Sequence, residues 1–399
     1  MQPISHALVL NLHQPAGNLD ALLASREWEA REILYALDRI ARFLWEFEDI
    51  GRVHLAVSGT LLETLSSPEF QRRAYGIVDC GSLLWHLQNE RIIHILGTAF
   101  YHALLPLIPA ADRTEQIGRW LGIGRHLLWR SAFTGFWPPE LGFSMELIPQ
   151  LRRLGYRWVL VDSAHVEPEG SMRWEQIRYQ PHIARFAGEQ IIVIVRDREL
   201  SDAQESGMDY AWFEREVRAR TRWCDFPPLV STCSDGDNGG WFRNVNPAAN
   251  FWGAFYGELL ARARADRGAI QPVFIDEYLR MHGAHGYVTV RTGAWNTGWH
   301  DGVGFTQWTG SQRQRDALAR VRALSAAIHE ARAFAGEAGG RRIPGLAEQI
   351  EAGLWHLLRA ETSCNFYWGE AWVARAHADL DEAERHRSRA WQLLDRAEG

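Results

Sequence analysis

Apolar residues fall into two regimes along this chain. Over the first two thirds, short apolar runs rich in branched side chains recur: HALVLNL at 6–12, VHLAV at 53–57, IIHIL at 92–96, WVLV at 158–161, IIVIV at 191–195 and LVST at 229–232. Near-continuous apolarity, rather than strict alternation, marks strands buried on both faces of a parallel sheet. Helical stretches lie between them, such as 27–47, 67–89 and 145–154, the last with Ser144 as N-cap and Gly155 as stop. Strands alternating with helices in this way indicate an α/β barrel or a doubly wound sheet. After Gly310 the runs give way to long amphipathic stretches of Ala, Leu, Arg and Glu at 311–335, 346–360 and 369–397, the first two separated by a Gly/Arg/Pro break. The pattern therefore predicts an α/β unit, barrel or doubly wound sheet, over residues 1–310 and a C-terminal helical bundle over 311–399. Residues 280–310 have little periodicity but many Gly, His, Trp and Thr. Loops this long inside compact domains are usually functional or disordered, and the aromatic content favours function.

Composition narrows the classes. A formal net charge of -6 argues against a nucleic-acid partner, which would favour a basic face. All 43 basic residues are arginine, with no functional consequence drawn. Nineteen tryptophans against ten tyrosines is the unusual balance; an indole offers a flat apolar face and one N–H donor, which suits a sugar ring as well as a core. Cys80, Cys224, Cys233 and Cys364 are scattered, so neither a zinc framework nor a disulfide-stapled scaffold is expected. The first basic residue is Arg26, leaving no charged signal-peptide n-region, and no apolar run approaches the roughly 20 residues of a membrane helix. The expectation is a soluble, cytoplasmic protein with no membrane partner.

In closed parallel barrels the reactive groups gather past the carboxyl ends of the strands. Those positions here hold Asn11-Leu12-His13-Gln14-Pro15, Gly97 to His102, Gly135 to Glu140, Asp162, and Ser234-Asp235-Gly236-Asp237. Carboxylates on separate strand ends, amid His and Trp, suit glycoside cleavage. One carboxyl protonates the leaving oxygen while the other attacks or stabilises the anomeric carbon, at about 5–5.5 Å separation when configuration is retained. The acid needs a raised pKa and the nucleophile stays ionised. For Asp162 a structural hydrogen-bonding role is as good a reading as a catalytic one.

Four motifs in order resemble glycoside hydrolase family 57: HQP at 13–15, IIHILGTAFYHALLPLIP at 92–109, FWPPELGF at 136–143, and SDGDNGGWF at 234–242. The resemblance covers residues 6 to about 245. It implies an irregular seven-stranded (β/α) barrel and a retaining α-glucan hydrolase or transferase acting on oligo- or polysaccharides without metal or other cofactor. It further implies Glu140 as nucleophile and Asp235 as general acid/base, with Asp237 as the competing acid. His13, Gln14, Trp137, His94, Tyr101, Asp237, Trp241 and Trp299 are the residues expected to bind substrate. His94 stands where many relatives carry an acidic residue. The stretch 361–368 (ETSCNFYW) is a weak counterpart of a fifth region, and the loop 295–300 (WNTGWH) is a further cleft candidate. Two other readings remain open: a metal-dependent polysaccharide deacetylase, with His282 and His285 joining His13 and the Asp-Gly-Asp stretch, and a sugar-binding barrel without turnover.

Overall fold

The computed structural model describes residues 3–266, 268–297, 304–336 and 343–398. Seven parallel strands form the central sheet: β1 (Ser5–Leu12), β2 (Val53–Val57), β3 (Ile93–Leu96), β4 (Gly135–Phe136), β5 (Trp158–Asp162), β6 (Glu189–Arg196) and β7 (Leu229–Asp235). Their order is β3-β2-β1-β7-β6-β5-β4. A parallel bridge between Gly97 and Phe136 joins the two outer strands. The Gly97 N–H donates to Gly135 O at 2.9 Å and the Trp137 N–H donates to Gly97 O at 2.8 Å, so the sheet closes into the expected seven-stranded barrel. Glycine is required at this seam, since a Cβ on Gly97 would sit 2.1 Å from the Tyr156 hydroxyl and one on Gly135 would sit 2.2 Å from the Trp158 ring.

Side-chain alternation decides what faces the barrel axis. Ala7, Val9, Ala56, Leu96, Trp158, Leu160, Ile194, Leu229 and Cys233 form one buried cluster with Trp137, Leu141 and Tyr278. Two residues further along the same faces come Asn11, Asp162, Arg196 and Asp235, so the apolar filling ends in a polar layer at the carboxyl ends. Two residues back from Ala56 and Leu96 come His54 and His94, at the amino ends. Helix Ile275–His282 closes that end. The Ile275 N–H donates to His54 Nε2 at 3.0 Å, which leaves His54 Nδ1 as the donor to Leu8 O at 3.0 Å. Asp276 accepts from Thr134 Oγ1 at 2.5 Å and Trp158 Nε1 at 2.8 Å.

Three predicted helices are shorter than their patterns, the stretch 27–47 by its last two residues. The stretch 67–89 is divided into Pro68–Ala74 and Cys80–Leu87 around Gly76, whose φ of 85° ends a helix. The stretch 145–154 starts as a 3-10 turn and becomes α-helical only at Ile148–Arg153, with Pro149 in its first turn. Among the described residues, no helix is long and apolar enough to cross a membrane.

The chain divides into two compact units, residues 1–98 with 120–295, and residues 99–119 with 296–399. The first holds the barrel. The second holds the three long helices expected from the sequence, Gln312–Gly336, Leu346–Ala360 and Glu370–Glu398. In this division residues 99–119 group with the helices. Hydrogen bonds inside the second unit explain this. Gln116 Nε2 donates to Leu358 O and Glu361 Oε2, both at 2.9 Å, while the Tyr101 N–H donates to Gln116 Oε1 at 3.0 Å. The Ser363 N–H donates to His102 O at 3.0 Å.

Candidate active site

Glu140 follows β4 through Trp137-Pro138-Pro139 and is buried. Its backbone is left-handed (φ 58°, ψ 17°), as is that of Leu141 (φ 49°). A non-glycine residue there costs about 1–3 kcal/mol and persists only where its surroundings enforce it. The enforcement is visible. Two prolines fix φ ahead of it, and the Leu141 and Gly142 N–H groups donate to Pro138 O and Pro139 O, both at 2.8 Å. Trp295 then takes hold from a distant part of the chain. Its N–H donates to Glu140 O at 3.0 Å and its indole Nε1 donates to Glu140 Oε2 at 2.8 Å.

Trp295 is itself anchored. Phe143 and Gly293 exchange backbone hydrogen bonds at 2.9 and 3.1 Å, and Ala294 O lies 3.0 Å from His165 Nε2. Gly293 lies against the His165 ring so closely that a Cβ would stand 2.6 Å from it. The fully buried Trp137 meets Trp295 edge-on at 5.7 Å, and the Arg196 guanidinium lies 5.9 Å from the Trp295 ring centre.

Arg196 is buried on β6, donating to Asp162 Oδ2 at 2.8 Å, Asp202 Oδ1 at 2.7 Å and Cys233 O at 2.9 Å. Asp162 Oδ1 accepts from Arg198 Nε at 2.7 Å. Asp162 is therefore clamped between two arginines.

Asp235 ends β7 with part of its surface open. Its Oδ1 accepts from Asn11 Nδ2 at 2.8 Å and its Oδ2 from Asn238 Nδ2 at 3.2 Å. Burial raises its pKa, against the two amide hydrogen bonds. Asp237 is buried and accepts from Gln14 Nε2 at 2.9 Å. Burial, then the neighbouring Asp235 charge, pushes it up to about 7. Gln14 in turn accepts from Asn18 Nδ2 at 2.9 Å. Burial is thus the larger cause of an upward shift in both carboxyls, and Asp237 feels the Asp235 charge in addition.

Residues 29–291, well over half of the chain, match the model of glycosyl hydrolase family 57. The chain belongs to this family. It is 30% identical over 203 residues to an alpha-amylase of Pyrococcus horikoshii, covering 50% of this chain and 29% of that one. It is 28% identical over 205 residues to a 4-alpha-glucanotransferase of Thermococcus kodakarensis, covering 50% and 28%. The chain thus spans under a third of these relatives' length. The family 57 branching enzyme of Thermococcus kodakaraensis shares the fold, with a TM-score of 0.74, 13% identity and coverage of 99% of this chain and 94% of that one. So does the 4-alpha-glucanotransferase of Thermococcus litoralis, at 0.64, 19%, 97% and 60%.

Within this family 57 barrel, Glu140, Asp235, Asp237, His13, Gln14, Trp137 and Trp241 all lie on segments leaving the carboxyl ends of β1, β4 and β7. His94 does not. It lies at the amino end, 3.7 Å from Asp276 and 3.3 Å from Thr134 Oγ1, where burial lowers its pKa. Its strand thus carries it to the end of the barrel opposite Glu140 and Asp235. Trp137 is enclosed and meets Trp295. Tyr101 belongs to the second unit, with its ring edge-on to Trp355 at 6.4 Å. Trp299 lies outside the described residues.

The His282 ring lies tilted against Tyr278 with centres 4.6 Å apart, and the Tyr278 hydroxyl donates to Pro227 O, ahead of the first residue of β7. His285 Nε2 lies 2.8 Å from His282 O. This pair sits by the amino ends, away from His13 and Asp235. Asn11, Asn238 and Arg196 are the site residues the sequence did not single out for a role, and Trp295 was singled out only as part of the cleft-candidate loop 295–300. An arginine directly closing the apolar run IIVIV is the one local signal among them.

Proposed function

We propose that this family 57 protein cleaves or transfers α-glycosidic bonds in α-glucan-type oligo- or polysaccharides by double displacement. Glu140 attacks the anomeric carbon while Asp235 gives its proton to the leaving oxygen. Asp235, now ionised, takes a proton from water or from the hydroxyl of an incoming sugar. That oxygen attacks the anomeric carbon, the bond to Glu140 breaks, and the starting protonation states return. The observation that carries the reading is the grip of Trp295 on a strained, buried Glu140. A hydrogen bond to Oε2 aims the carboxylate at one fixed position, as a nucleophile needs.

Asp235 is the better acid/base than Asp237. Its side chain is partly open, its pKa is raised, and Asn11 and Asn238 hold both oxygens. Asp237 faces Gln14 and tunes its neighbour through charge. His13 and Trp241 supply sugar contacts in this reading. Four free thiols fit a reducing, intracellular setting.

Product analysis tests the proposal. Wild type and Glu140→Gln are incubated with a malto-oligosaccharide of one length, and the products are separated by size. Products shorter than the substrate, or both longer and shorter, from wild type alone support hydrolysis or transfer respectively. No change in either sample, or equal turnover in both, contradicts it.

A further inference from the structure

We propose that His356, Glu382 and His386 form a site for a divalent transition-metal cation of the zinc class, pinning helix Leu346–Ala360 to helix Glu370–Glu398. One ligand atom from each of the three lies within 4.8 Å of the others, the grouping of this kind found among the described residues. Zinc takes imidazole nitrogens and carboxylate oxygens in tetrahedral sets, and three protein ligands leave one position for water.

The helices produce this grouping by their register. Glu382 and His386 are i and i+4 on one helix, so they share a face. His356 comes from the other helix, running antiparallel: Gln349 lies against His386, and His356 and Arg359 lie against Asp379. Gly353 permits close approach, since even a Cβ there would already touch the His386 Cβ at 3.4 Å and Ala383 O at 3.5 Å. The two imidazoles lie nearly parallel, 17° apart, with centres 5.7 Å apart.

Both rings are also oriented from behind. His356 Nδ1 lies 3.1 Å from Asp379 Oδ1, and His386 Nδ1 lies 2.9 Å from Gln349 Oε1. Oxygens that only accept make each Nδ1 the N–H, so each Nε2 carries the lone pair. A carboxylate or amide oxygen behind a histidine is the arrangement that fixes ring and tautomer in metal sites. His356 further lines an open groove of about 610 Å³ with Glu348, Glu351 and Trp355, giving a cation access from solvent. Arg385 pairs with Glu382, but such an exposed pair is weak in water and one carboxylate oxygen remains.

The whole chain, stripped with a chelator, is titrated with zinc chloride by calorimetry and with cobalt(II) chloride by visible absorption. One saturable cation per chain, with cobalt bands of a four-coordinate centre, is the expected result. The His356→Ala/His386→Ala double variant should lose this site. Glu382→Gln, a milder change at a partly exposed position, and Gln349→Ala, which removes the support behind His386, should each weaken binding by about tenfold or more. Zinc should raise the thermal midpoint of wild type and leave that of the double variant unmoved. No saturable binding to wild type overturns the proposal, as does binding of equal stoichiometry and affinity in the double variant or in Glu382→Gln.

Discussion

Trp295 binds Glu140 twice, through its indole N–H to Oε2 at 2.8 Å and through its backbone N–H to the Glu140 carbonyl at 3.0 Å. The second bond fixes where residue 295 lies, and the first fixes which way the carboxylate points. Trp295→Phe keeps the backbone bond and a ring against Trp137 while deleting the bond to the carboxylate. Hydrogen bonds to charged groups contribute about 1.5–3 kcal/mol, so kcat on a malto-oligosaccharide should fall by about ten- to a hundredfold. A kcat within twofold of wild type would show that the indole N–H does not aim the nucleophile.

The anchor beneath that contact is Gly293. In Gly293→Ala the new methyl meets the His165 ring at 2.6 Å, and overpacking of this sort costs about 1–3 kcal/mol. The variant should unfold at lower urea concentration and lose activity. Adding His165→Ala should restore much of both. Failure of the second change to rescue either property would mean that the segment is held elsewhere.

Asp237 gives a pH-dependent prediction. Its carboxyl is pushed up to about 7 in the folded protein by burial and by Asp235, against an ordinary value of 3.8. Between those values the folded state holds more protons than the unfolded one, so this residue's contribution to stability falls as pH rises and is fully lost above 7. Asp237→Asn keeps an acceptor for Gln14 but does not titrate. It should be more stable than wild type by about 4 kcal/mol at pH 8, with the gap closing towards pH 4. Urea unfolding at both pH values measures this, and a gap independent of pH contradicts the assignment.

Arg196 is the buried cation on which the polar layer depends. Arg196→Met removes its bonds to Asp162, Asp202 and Cys233 O and leaves Asp162 buried with Arg198. Breaking a buried pair from one side costs about 3–5 kcal/mol. Equilibrium unfolding should report a loss of that size; a change below about 1 kcal/mol would mean Asp162 is satisfied without it.

The strands were legible because five of the six apolar runs became barrel strands almost as written and the sixth, 92–96, lost only its first residue. Period two then carries Asn11, Asp162 and Asp235 to one end of the barrel. β4 has two residues, too few for any period, and was legible only through the motif that follows it. An apolar run shows which residues are buried, while strand direction decides the end at which a polar residue within it emerges, and for His94 that is the amino end. The partnership of Trp295 with Glu140 joins residues 155 apart, and no local pattern encodes it. The interleaving of 99–119 with the helices was hidden likewise, since Gln116 finds Glu361 across 245 residues.

The central claim is that Glu140 forms the covalent bond to sugar, and the Asp235→Asn variant allows that bond to be observed. Fluoride leaves an α-maltosyl fluoride without a proton, so the nucleophile can still be glycosylated. Breakdown of the adduct lacks its base and is slow. Intact mass followed by peptide mapping should show one maltosyl group on the peptide containing Phe136 to Phe143, at Glu140, and none in Asp235→Asn/Glu140→Gln. An adduct on another residue, or its persistence in the double variant, would contradict the account.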